Sequence, residues 1–327
     1  MYNLPVRLKR LRRTAVVRDM LQETRLHPSQ LIAPLFISET LAAKREISSM
    51  PGQFQLTLKD LPGEIDALRA LGIPAVLLFG IPEHKDAHGC ASTHVTGIVQ
   101  QAIRTIRAHC PEILIIADVC LCEYTDHGHC GILDGEIIHN DETLKQLSQQ
   151  AVSFAEAGAD WVAPSSMTDG MVLAIREALD REGHQDTVIL SYAVKYSSCL
   201  YGPFREAAQG APKFGDRKTY QMDPANAEEA IREAALDVHE GADIIMVKPA
   251  MFYLDVIHRV KQKFSEIPLC AYQVSGEYSM IKNAASQGLI NEEQAMMESL
   301  LAIKRAGADL IISYFAKDVA RVLRECI

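Results

Sequence analysis

A lysine stands at the end of a fully apolar run in the C-terminal half of the chain. Residues 244–247 are Ile-Ile-Met-Val, and Lys248 and Pro249 follow them. Such a run is typical of a parallel strand covered on both faces, and proline cannot continue the hydrogen-bond ladder. Burial disfavours an ammonium and can leave a neutral, nucleophilic amine, but a lysine can also bury its stem while its head reaches water. This segment alone leaves both interpretations open.

Other short apolar runs also lead into polar residues that can do chemistry. These residues are Asp118, Ser165, Ser166, Lys195, Ser275 and Tyr314. If Lys195 and Lys248 end neighbouring strands, each ammonium makes the other harder to protonate. At least one lysine would then be neutral and able to form an imine with a ketone. The alternative is that Lys195 pairs with an acid such as Asp118 and only supports the structure.

Three cysteines lie close together in the sequence. Cys120 and Cys122 are separated by one residue, and Cys130 follows after seven more. Three thiolates favour Zn²⁺, and three protein ligands leave a fourth position open for water or substrate, as a catalytic zinc requires. His127 or His129 could complete the tetrahedron instead, which would make the site structural.

A long segment rich in glycine, aromatic residues and charge separates Lys195 from a helix expected to begin near Pro224. A loop of this length in a compact barrel is typical of a lid or of a disordered segment. It contains Arg205 and Arg217, and a guanidinium matches a carboxylate through two parallel hydrogen bonds. Each arginine by itself would be interpreted as a surface charge, so this prediction depends on the lysines.

Alternating apolar runs and amphipathic segments predict the scaffold. The apolar runs are residues 31–37, 73–79, 113–117, 161–163, 188–190, 244–247, 269–274 and 310–312, and helical periodicity is found in segments such as 144–157, 225–240 and 291–305. Strands that alternate with helices pair in parallel, and eight such units close a (β/α)8 TIM barrel, an α/β fold. Since active sites of these barrels lie at the carboxyl ends of the strands, the polar residues should converge there. A doubly wound open sheet is the alternative, but no glycine-rich dinucleotide or phosphate turn follows an early strand.

A repeated local sequence supports the count of strands. Gly-Ala-Asp precedes three of the runs, beginning at Gly158, Gly241 and Gly307. Glycine can end a helix in the left-handed conformation, so this sequence predicts one type of helix-to-strand turn used three times.

Composition limits the classes of partner. The chain has 327 residues, 48% of them hydrophobic, and a net charge of −9. This charge argues against general affinity for nucleic acid or anionic membranes and favours small-molecule substrates. There is no apolar stretch of the roughly 20 residues that cross a bilayer and no secretory signal, so we expect a cytoplasmic protein. The basic residues 1–26 are expected to be an arm that contacts another subunit or a poorly ordered terminus, and residues 27–327 the barrel.

Five separated motifs resemble one known family. They are MVKPA at 246–250, DVCLCEYTDHGHCG at 118–131, YGPFREAA at 201–208, DRKTYQM at 216–222 and AYQVSGEY at 271–278. Taken in their order along the chain, they closely resemble the porphobilinogen synthase (5-aminolevulinate dehydratase) family in its zinc-dependent bacterial form. The resemblance extends from about residue 10 to residue 316.

The resemblance implies the condensation of two 5-aminolevulinate molecules into porphobilinogen, with loss of two waters, on the path to haem. It implies that Lys248 holds one substrate as an imine whose carboxylate contacts Ser275 and Tyr314. Lys195 would hold the other substrate. The resemblance further implies roles for Asp118, which would orient Lys195 or relay its proton, and for the second set of substrate contacts, Arg205, Arg217, Gln221 and Ser165.

The same resemblance implies cofactors and an assembly. Cys120, Cys122 and Cys130 would bind a catalytic Zn²⁺, and Mg²⁺ near Glu233 would be a possible allosteric activator. Members of this type are homo-octamers whose N-terminal arms wrap their partners.

Two other functions remain as alternatives. A class I aldolase-like barrel also uses a lysine imine but needs neither a second lysine nor a three-thiol loop. A non-enzymatic metal-binding barrel would use zinc only to staple the loop. Neither alternative explains the two lysines and the two arginines together.

Overall fold

The computed structural model describes residues 4–325. Its strands are β1 (Leu31–Ser38), β2 (Arg45–Glu46), β3 (Phe54–Leu56), β4 (Ala75–Ile81), β5 (Leu114–Val119), β6 (Leu133–Asp134), β7 (Ile137–Ile138), β8 (Trp161–Pro164), β9 (Val188–Lys195), β10 (Ile244–Lys248), β11 (Leu269–Gln273) and β12 (Leu310–Ser313). Eight of them pair in parallel in the order β1-β4-β5-β8-β9-β10-β11-β12, and β12 pairs with β1 to close the ring. The predicted (β/α)8 barrel is therefore confirmed, and the open-sheet alternative is wrong.

Helices lie around the barrel, in the N-terminal segment and over the barrel mouth. They are α1 (Ala15–Met20), α2 (Leu61–Ala70), α3 (Ile98–His109), α4 (Asn140–Ala157), α5 (Met171–Arg181), α6 (Gly202–Ala207), α7 (Glu228–His239), α8 (Leu254–Lys263), α9 (Ser275–Ser286), α10 (Glu292–Ala306) and α11 (Ala316–Glu325). Helix α3 shows why they pack: Ile98, Ala102, Ile103 and Ile106 follow the helical repeat, so they lie on one face, and all are buried. Each buried isoleucine contributes about 1.5–3 kcal/mol relative to exposure.

The three Gly-Ala-Asp turns form as predicted. Gly158, Gly241 and Gly307 have φ angles of 105°, 104° and 130°. The pattern did not predict what the aspartates do. Each accepts a backbone N–H from the preceding barrel strand, as Asp243 does from Ile189 at 2.8 Å. The turn thus fixes the amino end of each following strand.

Strand β9 is longer than its apolar run predicted, because it continues from residue 190 to Lys195. Ser191 and Tyr192 interrupt the run, yet both are buried. The Ser191 hydroxyl donates to Asp237 of α7, and the Tyr192 ring lies inside the barrel mouth near Lys248. Lys195 is therefore part of the rigid barrel and not of the following loop.

Two long loops meet above the carboxyl ends of the strands. We call residues 196–223, which include α6, the lid, and residues 120–132 the thiol loop. The short β2–β3 hairpin supports the lid from the side, since Gln55 donates to the Ala207 carbonyl at 2.6 Å. The predicted lid is thus ordered and packed over the barrel mouth.

The N-terminal segment precedes the barrel, and its last residue, Leu26, is buried in the core. Its described part, residues 4–26, holds one short 3-10 turn and α1, and it exposes Leu8, Leu11, Val16 and Met20. Across residues 4–325, none of the helices combines the length and apolar character needed to span a membrane.

Candidate active site

Two lysines lie side by side at the carboxyl ends of β9 and β10. Lys195 and Lys248 are direct partners in the parallel pairing, and both are about 5% exposed. Four aromatic rings surround the Lys248 amine, and the ring centroid of Tyr272 lies 4.3 Å from Nζ. Burial, followed by the positive charge of the neighbouring Lys195, lowers the pKa of Lys248 to about 7. A substantial fraction of Lys248 is therefore a neutral amine near pH 7.

A carboxylate and a serine surround the second lysine. The Lys195 ammonium donates to the backbone carbonyl of Ser165, whose hydroxyl donates to Oδ2 of Asp118 at 3.0 Å. Oδ1 of Asp118 is buried and makes no hydrogen bond in the described part of the chain. Burial raises the pKa of Asp118, although both lysines pull it down. Asp118 can therefore exchange a proton within the site.

Ser275 and Tyr314 lie at the ends of the next two strands. The Ser275 hydroxyl accepts the backbone N–H of Phe204 at 2.9 Å, so it holds the base of the lid. The Tyr314 hydroxyl lies 3.0 Å from that of Tyr272, whose ring is next to Lys248. Both hydroxyls are thus on the Lys248 side of the mouth.

The three predicted thiols converge. The sulfur atoms of Cys120, Cys122 and Cys130 lie within 4.8 Å of one another, those of Cys120 and Cys122 being 3.4 Å apart. All three residues are buried, and none forms a disulfide. Three free thiols at this spacing fit the ligand set of a soft divalent metal.

The two histidines of the thiol loop face other groups. Nδ1 of His129 lies 3.2 Å from the Tyr220 hydroxyl and Nε2 lies 3.1 Å from the Phe214 carbonyl. For His127, Nδ1 accepts the backbone N–H of His129, and Nε2 lies 3.3 Å from the Ala87 carbonyl. Both imidazoles are engaged in holding the loop and the lid. Across residues 4–325 the potential metal donors cluster in two groups that share Cys120: the three sulfurs, and Asp118, Cys120 and Glu123.

The lid carries the two arginines. Arg217 is buried and donates to the carbonyls of Gly128 and Gly210 at 2.9 and 2.7 Å. Arg205 is half-buried, and burial together with Arg217 lowers its pKa. Within residues 4–325, the Nε atoms of both arginines and both polar side-chain atoms of Gln221 are buried without a hydrogen-bond partner. Because buried polar groups are normally paired, these atoms are suited to a polar ligand.

One small cavity brings some of the predicted residues together, whereas Ser275, Tyr314, Arg205 and Gln221 do not line it. It is lined by Asp118, Ser165, Lys195, Lys248, Arg217 and Cys122, with Phe79, Glu123, Tyr201 and Phe204. Its volume is about 10 Å³, which is about the room that one water molecule needs. The closed lid therefore has to move before substrates of several carbon atoms can enter.

Glu233 lies outside this site. It lines a separate cavity of about 660 Å³ between α7 and the outer side of the lid, together with Asp169, Glu229, Asp237 and Glu240. Burial, followed by Asp169 and Glu229, raises the pKa of Glu233. Gln221, a residue of the lid, also lines this cavity. The lid therefore lies between this cavity and the two lysines.

Sequence analysis missed several residues of the site. Glu123 directly follows Cys122 and lines the cavity, and burial raises its pKa to about 7. The ring centroid of Phe204 lies 5.2 Å from the Nζ atom of Lys248. Glu123 and Phe204 each lie within one of the motifs that resemble the family, and this position was the signal that could have identified them. Tyr192 had no such signal, because only the length of β9 places it beside the lysines.

Replacing Gly276 by alanine is expected to impair the lid. An added Cβ would lie 2.5 Å from the carbonyl oxygen and 2.7 Å from the Cα of Leu200, which are backbone atoms at the lid base. Since alanine favours helix by about 1 kcal/mol, folding should survive. We expect the KM for substrate to rise about ten-fold and the melting temperature to fall by a few degrees, because the close backbone atoms have to shift.

Gly63→Ala is the matched control for this change. Gly63 is also helical, but an added Cβ there has no neighbour within 4 Å. Equal kinetics for the two variants would contradict the close contact between α9 and the lid.

Comparisons with known proteins agree with this geometry. The sequence model of the family described as delta-aminolevulinic acid dehydratase matches residues 5–322. The delta-aminolevulinic acid dehydratase of Halalkalibacterium halodurans is 56% identical over 319 residues, covering 98% of this chain and 97% of that protein. The Bacillus subtilis protein of the same name is also 56% identical, covering 98% of each.

A solved structure is also similar. The delta-aminolevulinic acid dehydratase (porphobilinogen synthase) of Toxoplasma gondii, in complex with the reaction product porphobilinogen, superposes with a TM-score of 0.97. It is 44% identical to this chain, and the match covers 100% of this chain and 94% of that one.

Proposed function

Since the chain belongs to the delta-aminolevulinic acid dehydratase family, we propose that Lys248 and Lys195 carry out its reaction through two imines. The reaction condenses two 5-aminolevulinate molecules into porphobilinogen and two waters, as a lyase (EC 4.2.1.24) of porphyrin biosynthesis. The observation that carries the proposal is the pair of buried lysines in one cavity, one of them with a pKa of about 7.

The first step is imine formation at Lys248. The neutral amine attacks the ketone carbon of one substrate, and the resulting adduct loses the former carbonyl oxygen as water. Ser275 and Tyr314 lie on the same side of the mouth and would receive the carboxylate of this substrate. The imine makes the neighbouring carbon acidic, which prepares it for bond formation.

The second substrate is held at Lys195. Its ketone would form an imine there, and Ser165 and Asp118 are the groups that lie against this amine. The raised pKa of Asp118 suits it to orient the lysine or to pass its proton. Holding both molecules together removes much of the entropic cost of their encounter. Both lysines return as free amines when the product forms.

A metal would be bound by Cys120, Cys122 and Cys130. We propose Zn²⁺, because three thiolates are soft ligands and three protein ligands leave one position open. When bound, it would supply a Lewis acid or a water of lowered pKa for proton removal. The thiol loop itself contributes Glu123 and the carbonyl of Gly128, which orients Arg217.

Arg205→Ala is expected to weaken binding of the second substrate. The guanidinium would pair with its carboxylate, and losing such a charge-assisted bond raises KM about 10- to 100-fold. Within residues 4–325 the Nε atom of Arg205 has no partner to lose, so the melting temperature should change by only a few degrees. Steady-state kinetics and thermal melting measure the two effects.

Lys218→Ala is the control, because Lys218 is an exposed cation of the same lid. It should leave KM unchanged. If the Arg205 variant lost thermal stability and substrate binding to the same extent, the proposal that Arg205 binds the substrate carboxylate would be wrong.

Three further features are part of the proposal. We propose Mg²⁺ as a possible allosteric activator at Glu233, where carboxylates line one cavity and oxygen is the ligand that this ion prefers.

We propose that residues 1–26 form an arm that contacts other subunits of a homo-octamer, supported by the apolar side chains that the arm exposes. Residues 27–327 would be the catalytic barrel, and residues 1–3 and 326–327 of these ranges lie outside the described part. We propose a cytoplasmic location.

The test is formation of a pyrrole from 5-aminolevulinate by the purified protein. Borohydride trapping and mass spectrometry of the wild type should show substrate on Lys248. Full activity in a variant that lacks Lys195 would favour the aldolase-like alternative. Unfolding on chelation without a prior loss of catalysis would favour a metal-stapled barrel.

A further inference from the structure

A buried glutamate ties together the two loops that carry Lys248 and Ser275. Glu277 is the third residue of α9 and is fully buried. Its Oε1 accepts the backbone N–H of Met251 at 2.7 Å, and its Oε2 accepts that of Val274 at 2.8 Å. Both oxygens of one carboxylate are therefore committed to backbone groups from different strand ends.

These backbone groups are next to functional residues. Met251 is three residues after Lys248 and begins the turn Met251–Tyr253. Val274 directly precedes Ser275 and is the N-cap of α9. The carboxylate thus connects the segment after the nucleophilic lysine with the segment that presents the serine.

The strand ladder alone does not hold this end of the barrel. The last paired residues of β10 and β11 are Val247 and Ala271, so Lys248 extends beyond the registered pairing on this side. Glu277 lies beyond that pair and replaces the missing ladder bonds with two charge-assisted bonds. Burial of this carboxylate disfavours its charged form: it raises the pKa of Glu277 to about 7, although the hydrogen bonds from the backbone N–H groups lower that pKa.

We propose that Glu277 is a positioning residue for the proposed imine chemistry: it sets the distance between the Lys248 amine and the Ser275 hydroxyl. On the proposed function, these two groups hold the ketone and the carboxylate of the same substrate molecule. Glu277 does not line the cavity between the lysines, so it acts through the backbone and not by contact with substrate.

Glu277→Gln tests this role. The amide has nearly the same shape, but its NH2 group must face one of the two backbone N–H groups, and one bond is lost. Two ketones serve as probes: levulinate, which has a carboxylate, and butan-2-one, which lacks one. Borohydride trapping on Lys248 is measured for each, and the ratio of the two trapping rates is compared between wild type and variant.

The expected result is a selective loss. Levulinate needs the correct distance between Lys248 and Ser275, whereas butan-2-one needs only a reactive amine. We expect the levulinate preference to fall about ten-fold or more, since small displacements of a bound substrate have effects of this size. Butan-2-one trapping should remain near the wild-type rate. An unchanged ratio in a folded variant would overturn the proposal.

Two further variants keep the test decisive. Asp243→Ala removes a carboxylate that also accepts a backbone N–H, but at the opposite end of β10. It should lower the melting temperature and leave the ratio unchanged. If the glutamine variant does not fold, Glu277→Asp keeps the charge with a shorter reach and should show a smaller loss of the same ratio. If the wild type forms no adduct on Lys248, the proposed function fails, which is distinguishable from an unchanged ratio.

Discussion

Replacing Lys248 by methionine is expected to lower kcat/KM for porphobilinogen formation by at least about 1,000-fold, because it removes the nucleophile while keeping an unbranched apolar side chain. Within residues 4–325 the Lys248 side chain forms no salt bridge, and the rings of Tyr192, Tyr201, Phe204 and Tyr272 surround its amine. Burying an apolar group there should preserve or raise the melting temperature. Pyrrole formation, calorimetry and mass spectrometry after borohydride trapping would measure these outcomes.

The pH dependence of trapping identifies the attacking amine. Only the neutral form of Lys248 attacks a ketone, so the trapping rate should rise with pH through about 7 and level off above it. Removing Lys195 as Lys195→Met removes a positive neighbour, which is the second cause of the lowered pKa. The rise should therefore move to higher pH in that variant. Since Lys195 is also proposed to form an imine, mass spectrometry must locate the adduct; a wild-type adduct found only on Lys195 would show that the nucleophile has been misassigned.

The barrel could be predicted from the sequence because its signals are local. Each strand is a short apolar run, and each Gly-Ala-Asp turn uses a glycine with positive φ. Lys195 and Lys248 could be predicted as neighbours, since strands that follow one another in a barrel pair in parallel. These features depend on residues close in the chain.

Other features could not be predicted, because they depend on contacts between distant segments. The Ser275 hydroxyl holds Phe204, which is 71 residues away in sequence. The role of Glu277 requires that two strand ends and a helix start meet at one point. Such contacts leave no periodic pattern, and a single sequence contains no signal for them.

The thiol loop and the lid are packed as one unit. An added Cβ at Gly128 would lie 2.2 Å from the Ala211 carbonyl oxygen, so the two backbones are in close contact. The Lys213 N–H donates to the His127 carbonyl at 3.0 Å, and Arg217 donates to the Gly128 carbonyl. The cluster of Cys120, Cys122 and Cys130 also packs against Tyr220 of the lid. A change in the order of this loop must therefore alter the surface on which residues 210–217 of the lid rest.

Removal of the proposed zinc by a chelator is expected to lower pyrrole formation by at least about 100-fold, and added Zn²⁺ should restore it. The contacts between thiol loop and lid predict a second effect that does not depend on activity. Without a metal, three buried thiols lose their common partner, so the thiol loop should loosen and the lid should detach from it. Trypsin should then cleave faster after Lys213 and Arg217, while cleavage in the exposed arm, for instance after Arg13, serves as the internal control.

Cys130→Ala separates the two effects of the metal. This variant lacks one of the three donors, so its cleavage at the lid should resemble that of the chelated wild type and should not respond to Zn²⁺. Protection of Lys213 in both samples, together with lost activity, would mean that the metal acts in the chemistry without ordering the lid. Activity that survives verified removal of zinc would restrict the cysteines to structure. Because cleavage and pyrrole formation are measured on the same samples, each outcome assigns the thiol loop to chemistry, to closure of the lid, or to both.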